Sequence, residues 1–232
     1  MSVEGFDYDN PLNRMLSRVG DAMLLSILFV LFSVPVVTFG ASCTAMYYTA
    51  MKGITGDDGY IWKYFIKSFK ENFKQSTLIW LIFIVVFGVL GVDVWFWTTQ
   101  WKGSQVGMAK PCLFISVVLL VIAAITCLFV FPLQAKFDNN IKAQLKNAFF
   151  MGVKYFPTTL LLLLIAAVVV WLFYYVTIVS IVAFVVIGFG ILGYLYAYFM
   201  LRCFKPYLPE AVKTADDLEF RIADVGEDEE EI

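Results

Sequence analysis

YFPTTLLLLLIAAVVVWLFYYVTIVSIVAFVVIGFGILGYLYAYFML, residues 155–201, contains no Asp, Glu, Lys or Arg. As a helix rising 1.5 Å per residue it would be about 70 Å long. The hydrocarbon core of a bilayer is only about 30 Å thick. Two membrane spans with a tight turn near Thr177–Ser180 accommodate this run; one straight helix does not. Pro157 sits where the first turn of a helix tolerates a missing N–H, and Pro206 and Pro209 stop the last helix.

Three further stretches lack charge. Residues 75–92 lie between Lys74 and Asp93, and residues 111–135 between Lys110 and Lys136. Each matches one span of about 20 residues, the second opening on Pro111. Residues 22–51, between Asp21 and Lys52, would make a helix of about 45 Å, too long for one straight crossing. Pro35 and Gly40 interrupt it. Either one helix exits near Thr38 and a short segment follows, or the chain kinks and re-enters. The simpler count predicts an all-α polytopic membrane bundle of about five transmembrane helices, near 21–39, 77–97, 111–133, 158–176 and 180–201. They form one transmembrane domain over 1–205, followed by an acidic cytoplasmic tail over 206–232.

Composition agrees. Of the 232 residues, 61% are apolar and 16% charged, with a mean hydropathy of +0.80. Globular domains average about 45–50% and 25%. A soluble or a disordered chain is excluded. His is absent, which removes His-based triads, general bases and metal sites. Cys43, Cys112, Cys127 and Cys203 are widely spaced, without a CxxC, and suggest neither a zinc site nor a disulfide framework.

Positive charge stays in the cytoplasm. The connection from Lys52 to Lys74 carries five Lys, the one from Lys136 to Lys154 four, and the C-terminal segment four Lys or Arg. With five spans these share the inner side and the N-terminus lies outside. If 22–51 re-enters, Arg14 and Arg18 move inside too and only Lys102 and Lys110 remain outside. Both readings put the two long basic connections and the C-terminus in the cytoplasm. Trp95, Trp97 and Trp101, and Trp171, Tyr174 and Tyr175, fall on the outer side as an interfacial belt would. The first apolar run ends in Gly40-Ala41-Ser42-Cys43, faintly like a lipoprotein cleavage site. Glu4, Asp7, Asp9 and Asp21 before it argue against a signal peptide.

Residues 61–75, IWKYFIKSFKENFKQ, carry two stripes. Trp62, Phe65, Ile66, Phe69 and Phe73 recur at helical spacing, and Lys63, Lys67, Lys70 and Lys74 follow one position later. This pattern predicts an interfacial helix with rings in the headgroup boundary and lysines on anionic lipid, each worth about 1 kcal/mol. Docking of a cytoplasmic partner is the alternative. Ile141, Leu145 and Phe149, with Lys142 and Lys146 beside them, repeat the scheme more weakly. Each such helix runs through a last lysine, Lys74 or Lys154, into a span. The tail from Asp216 to Ile232 holds nine acids and one base, Arg221, and reads as a solvated end, with contact to a basic surface as the alternative.

Ionisable groups that move ions lie within spans. None occupies mid-span here; Asp93 lies near a helix end, at an interface or facing a cavity. No nucleotide, zinc-protease or hydrolase motif occurs. No enzyme, cofactor, metal or nucleic-acid partner is expected. Gly188, Gly190, Gly193 and Ala197 suit close helix packing, internally or against another membrane subunit such as a second copy, as do Gly88 and Gly91, and Ala41 and Ala45. Ser33, Thr38, Ser42 and Thr44, beside the Pro/Gly break, are the best candidates for a neutral-solute path, since broken helices line binding sites.

Three segments carry a family resemblance: NPLNR at 10–14, SVPVVTFGAS at 33–42 followed by TAMYY at 44–48, and KSFKENFKQ at 67–75. Together they resemble the YesL family, small membrane proteins of unknown function in Gram-positive bacteria. The likeness covers about residues 8–90 and rests on size and hydropathy beyond. It implies a multi-span membrane protein, often encoded beside sugar-uptake ABC transporters and polysaccharide-degrading enzymes, and it supplies no catalytic residues. The expected role is an accessory or scaffold subunit of a carbohydrate uptake system, contacting sugar ABC transporter subunits. The alternative is a permease for a neutral solute, which predicts a water-filled cavity where a scaffold predicts a dry core.

Overall fold

The computed structural model describes residues 11–56, 60–100, 106–175 and 184–207. Every described element is a helix. In chain order they are α1 (Pro11–Ser33), α2 (Phe39–Ile54), α3 (Ile61–Gln100), α4 (Val106–Lys136), α5 (Ile141–Lys154), α6 (Phe156–Tyr175) and α7 (Phe189–Phe204). A 3-10 turn at Val36–Thr38 precedes α2, a π-turn at Phe184–Gly188 leads into α7, and a 3-10 turn at Lys205–Tyr207 follows it. Four segments are long and apolar enough to cross a membrane: Leu16–Ser33, Ile61–Thr99, Lys110–Lys136 and Phe184–Tyr207. The α5–α6 pair, bent by 96°, makes a fifth if it is counted as one broken span. The chain is a polytopic membrane helix bundle. The expected turn near Thr177–Ser180, the start of the 180–201 span and the tail beyond Tyr207 lie outside the described residues.

Residues 22–51 kink and return. Pro35 cannot donate to a helical ladder and keeps its predecessor out of the α region, so α1 stops at Ser33. The Thr38 hydroxyl lies 2.6 Å from the Phe32 carbonyl and 2.8 Å from that of Pro35, closing the open end of α1. α2 then runs back beside α1. Near the break the Phe29 and Phe39 rings meet at 5.8 Å. At the other end Tyr194 of α7 touches Gly53 and lies within electrostatic reach of Asp21 and Arg18. The start of α1 and the end of α2 therefore share one end of the bundle. α2 ends at Thr55 and Gly56, whose φ of 75° is the left-handed conformation common after a helix.

The amphipathic stretch 61–75 and the span 77–97 are one helix. α3 has 40 residues, about 60 Å of helix. No proline interrupts it, and Lys, Glu, Gln and Asn are sound helix formers or tolerable ones, so polarity changes along α3 while backbone geometry does not. α4 packs antiparallel to it, with Ser116 opposite Asp93 and Gln134 opposite Asn72. α4 starts earlier than its proline suggests: Pro111 lies inside the helix, in its second turn, and Pro132 near its end. Pro157 does sit in the first turn of α6, and Pro206 in the 3-10 turn after α7.

The core gathers around α2. Gly40 to Met46 and Thr49 to Met51 are buried, against α3, α4 and α7. α5 folds back on α4, with Gly152 against Ile125 and Gln144 against the Val130 carbonyl. Its buried face is Gln144, Ala148, Met151 and Gly152. Ile141, Leu145 and Phe149, the face expected from spacing, flank it half-buried. The Thr159 hydroxyl donates to the Gly152 carbonyl at 2.7 Å and fastens the bend between α5 and α6.

Candidate functional site

Of the four polar residues at the break, Ser42 and Thr44 are packed inside the bundle, while Ser33 and Thr38 are half-buried. The Ser42 hydroxyl donates to the Thr38 carbonyl at 3.1 Å, and the Thr44 hydroxyl lies 3.1 Å from the Gly40 carbonyl and 2.9 Å from Ser76 Oγ. Ser42, Thr44 and Ser76 are fully buried. A Cβ built on Gly40 would stand 2.6 Å from the Ser76 carbonyl oxygen and from Trp80 Cβ, so α2 and α3 touch there. Trp80 Nε1 donates to the Val36 carbonyl at 2.7 Å and pins the break to α3. Ser33 Oγ alone among the four is buried without a hydrogen-bond partner.

The glycines of α7 and of the π-turn before it have neighbours within the chain. A Cβ on Gly190 would fall 1.9 Å from the Ala22 carbonyl oxygen, one on Gly193 3.0 Å from Met46 Cγ, and one on Gly188 2.6 Å from the Phe184 ring. Ala197 is fully buried. Gly88 and Gly91 differ: nothing lies within 4 Å of a Cβ at either.

The aromatic stripe of α3 divides. Phe65 is fully buried, and Phe32 of α1 packs on Phe65 at 5.5 Å and on Phe69 at 4.8 Å. Phe65 therefore does not enter lipid as the spacing suggests, because Phe32 of α1 covers it, while Phe69 stays half-buried beside it. Trp62 and Phe73 remain exposed, at 47% and 37%. Lys63, Lys67, Lys70 and Lys74 are all exposed. Lys63 stands over the Tyr60 ring at 4.6 Å, while Lys67, Lys70, Lys74 and Lys142 have no hydrogen bond or ion pair among the described residues.

Two recesses open beside these lysines. A groove of about 680 Å³ between α3 and α5 is lined by Leu78, Ile141 and Ala143 together with Lys74, Gln75, Asn140 and Lys142. A cavity of about 340 Å³ lies between the ends of α4 and α5 and the chain after α7, lined by Phe137, Asn139, Phe150, Lys154 and Tyr207 among others. Lys154 Nζ donates to the Tyr207 hydroxyl at 2.7 Å. Asn139 of the cavity and Asn140 of the groove are consecutive, so the recesses adjoin.

Two polar rungs across α3 and α4 escape a reading of sequence. Asp93, half-buried, accepts hydrogen bonds from Ser116 and from Trp97 Nε1, the latter at 3.0 Å. At the other rung, Gln134 Nε2 donates to Asn72 Oδ1 at 3.2 Å, and Asn72 Nδ2 to the Ser68 carbonyl at 3.1 Å. The rungs are about 30 Å apart along α3, the thickness of a hydrocarbon core. Trp97 could have been paired with Asp93 from its i, i+4 spacing; Ser116 and Gln134 carry no such signal, because their partners are distant in sequence.

The family model described as protein of unknown function, DUF624, matches residues 22–94, less than half of the chain. The match covers the second half of α1, the break, α2 and α3 as far as Asp93 and its neighbour. No curated protein and no solved structure matches the chain. Over that segment the chain is similar to a family without an assigned activity, and it is a membrane protein of uncharacterised activity.

Proposed function

We propose that this protein is a non-enzymatic accessory subunit of a bacterial inner-membrane system for carbohydrate uptake, with its lysine-bearing helices in the cytoplasm. One observation carries the choice between scaffold and permease. The α2 side of the segment that offered the best solute path is packed against α3, with Ser42, Thr44 and Ser76 bonded inside the chain. A closely packed α2 suits a protein that works by contact. The carbohydrate system is supported by the resemblance to the YesL family alone. Orientation follows from the hairpin. If α1 and α2 share one end of the bundle, Arg14 and Arg18 join the basic connections, and only Lys102 and Lys110 face outward, the asymmetry expected of an inner-membrane protein.

A neutral-solute permease is the second reading, favoured by the buried, unpartnered hydroxyl of Ser33 at the break. The deciding experiment is purification of the tagged protein in mild detergent from its native host grown on plant polysaccharide, read by mass spectrometry. Stoichiometric sugar ABC transporter subunits are expected. Recovery of the chain alone would overturn the accessory role and turn the test to solute uptake, with Ser33→Ala as the variant to compare.

A further inference from the structure

The lysine face and the acidic end of the chain are complementary in charge. α3 presents Lys67, Lys70 and Lys74 on one exposed face, and α5 adds Lys142 across the groove. Glu71 is the one carboxylate within that α3 row. The described chain ends at Tyr207, which lines the cavity adjoining the groove. Beyond it, residues 216–232 hold nine acids and one base. The segment Asp216-Asp217-Leu218-Glu219-Phe220-Arg221-Ile222 alternates, with Leu218, Phe220 and Ile222 at every second position. Successive side chains of an extended strand point to opposite sides, so such a peptide has one apolar edge and one charged edge. The groove offers both chemistries, with apolar Leu78, Ile141 and Ala143 in the same lining as Lys74 and Lys142. Reach is sufficient: the eight residues from 208 to 215 extend to at most about 30 Å, and the two recesses touch at Asn139 and Asn140.

We propose that the chain's own C-terminal segment, residues 216–224, docks along the groove between α3 and α5. Its apolar residues lie against Leu78, Ile141 and Ala143, and the carboxylates of Asp217 and Glu219, on the opposite edge, face Lys70, Lys74 and Lys142. The docked segment occupies the surface on which an anionic lipid headgroup or an acidic partner would otherwise sit. Such a contact between exposed charges weakens with salt, because the screening length falls from about 10 Å at 0.1 M to about 3 Å at 1 M. The docking stands whether or not the accessory role does.

The test is carbodiimide cross-linking of the full-length protein in nanodiscs, read by mass spectrometry. Mixed unlabelled and ¹⁵N-labelled chains separate links within one copy from links between copies. Two membranes are compared: phosphatidylcholine alone and phosphatidylcholine with phosphatidylglycerol. Links from 216–219 to Lys70, Lys74 or Lys142 within one copy are expected in both membranes, falling about tenfold between 0.05 M and 1 M salt. Lys70→Glu, Lys74→Glu and Lys142→Glu together should abolish them, and adding Asp217→Lys and Glu219→Lys should restore links of reversed polarity. The restored pair keeps the test meaningful if the first variant folds poorly. Links only between copies, links lost when phosphatidylglycerol is present, or no links to these lysines would each overturn the proposal.

Discussion

Gly40 and Gly88 are both helical glycines in apolar sequence, yet their surroundings are opposite. A Cβ at Gly40 would meet the Ser76 carbonyl and Trp80 Cβ at 2.6 Å, whereas nothing lies within 4 Å of one at Gly88. Gly40 belongs to the region where α2 is enclosed by α3, α4 and α7. Gly88 belongs to the outer half of the α3–α4 hairpin, where Val85, Val89, Val92, Phe114 and Val121 are among many exposed apolar side chains. Both regions are apolar; what differs is residue size. Small residues let helix backbones approach in a bilayer, where apolar burial between helices gains little because lipid tails are equally apolar. The region around α2 uses them in that way, with Ala41, Ala45 and Ala50 fully buried. The outer hairpin has large side chains turned outward, as a lipid-facing surface should.

The contrast can be broken first at Gly190. Leucine there would drive side-chain atoms into the Ala22 backbone, and overpacking costs about 1–3 kcal/mol, more where backbone cannot yield. Gly190→Leu is expected to give the largest fall in thermal stability in detergent; an unchanged Tm would mean α1 and α7 do not touch. Asp93→Ala removes the acceptor for both Ser116 and Trp97 from the outer rung. A loss of about 1–2 kcal/mol is expected, given typical interhelical hydrogen bonds in membranes, measured as resistance to denaturing detergent. Thr44→Val deletes the bond to Ser76 at nearly constant volume, with an expected loss of about 1 kcal/mol in the same assay. The smallest effect belongs to Gly88→Leu, within about 0.5 kcal/mol of the parent because the site is open. A large destabilisation there would show that the outer hairpin is covered by protein.

Sequence reveals the helices here because a charge-free run of membrane-spanning length satisfies its backbone in lipid only by coiling into a helix. It misses what depends on neighbours. The lysines and Asn72 suggest a boundary before residue 77, but a change of polarity does not break a helix as proline does, and α3 has no proline. Phe65 reads as a lipid-facing ring because its cover, Phe32, lies in another helix. Ser42 and Thr44 read as a polar path, although small polar residues on every side of a short helix equally fit one enclosed all round, as α2 is. Pro111 reads as a helix start because the turn before it, from Val106, has no strong propensity of its own.

The central claim is that residues 22–54 form a hairpin that returns to the side it left. Impermeant maleimide labelling of Ser17→Cys and Thr55→Cys in right-side-out and inverted vesicles tests it directly, with the parent chain as background. Both positions should label from the cytoplasmic face only. Labelling of Ser17→Cys from outside and Thr55→Cys from inside would contradict the hairpin and make the segment a single crossing.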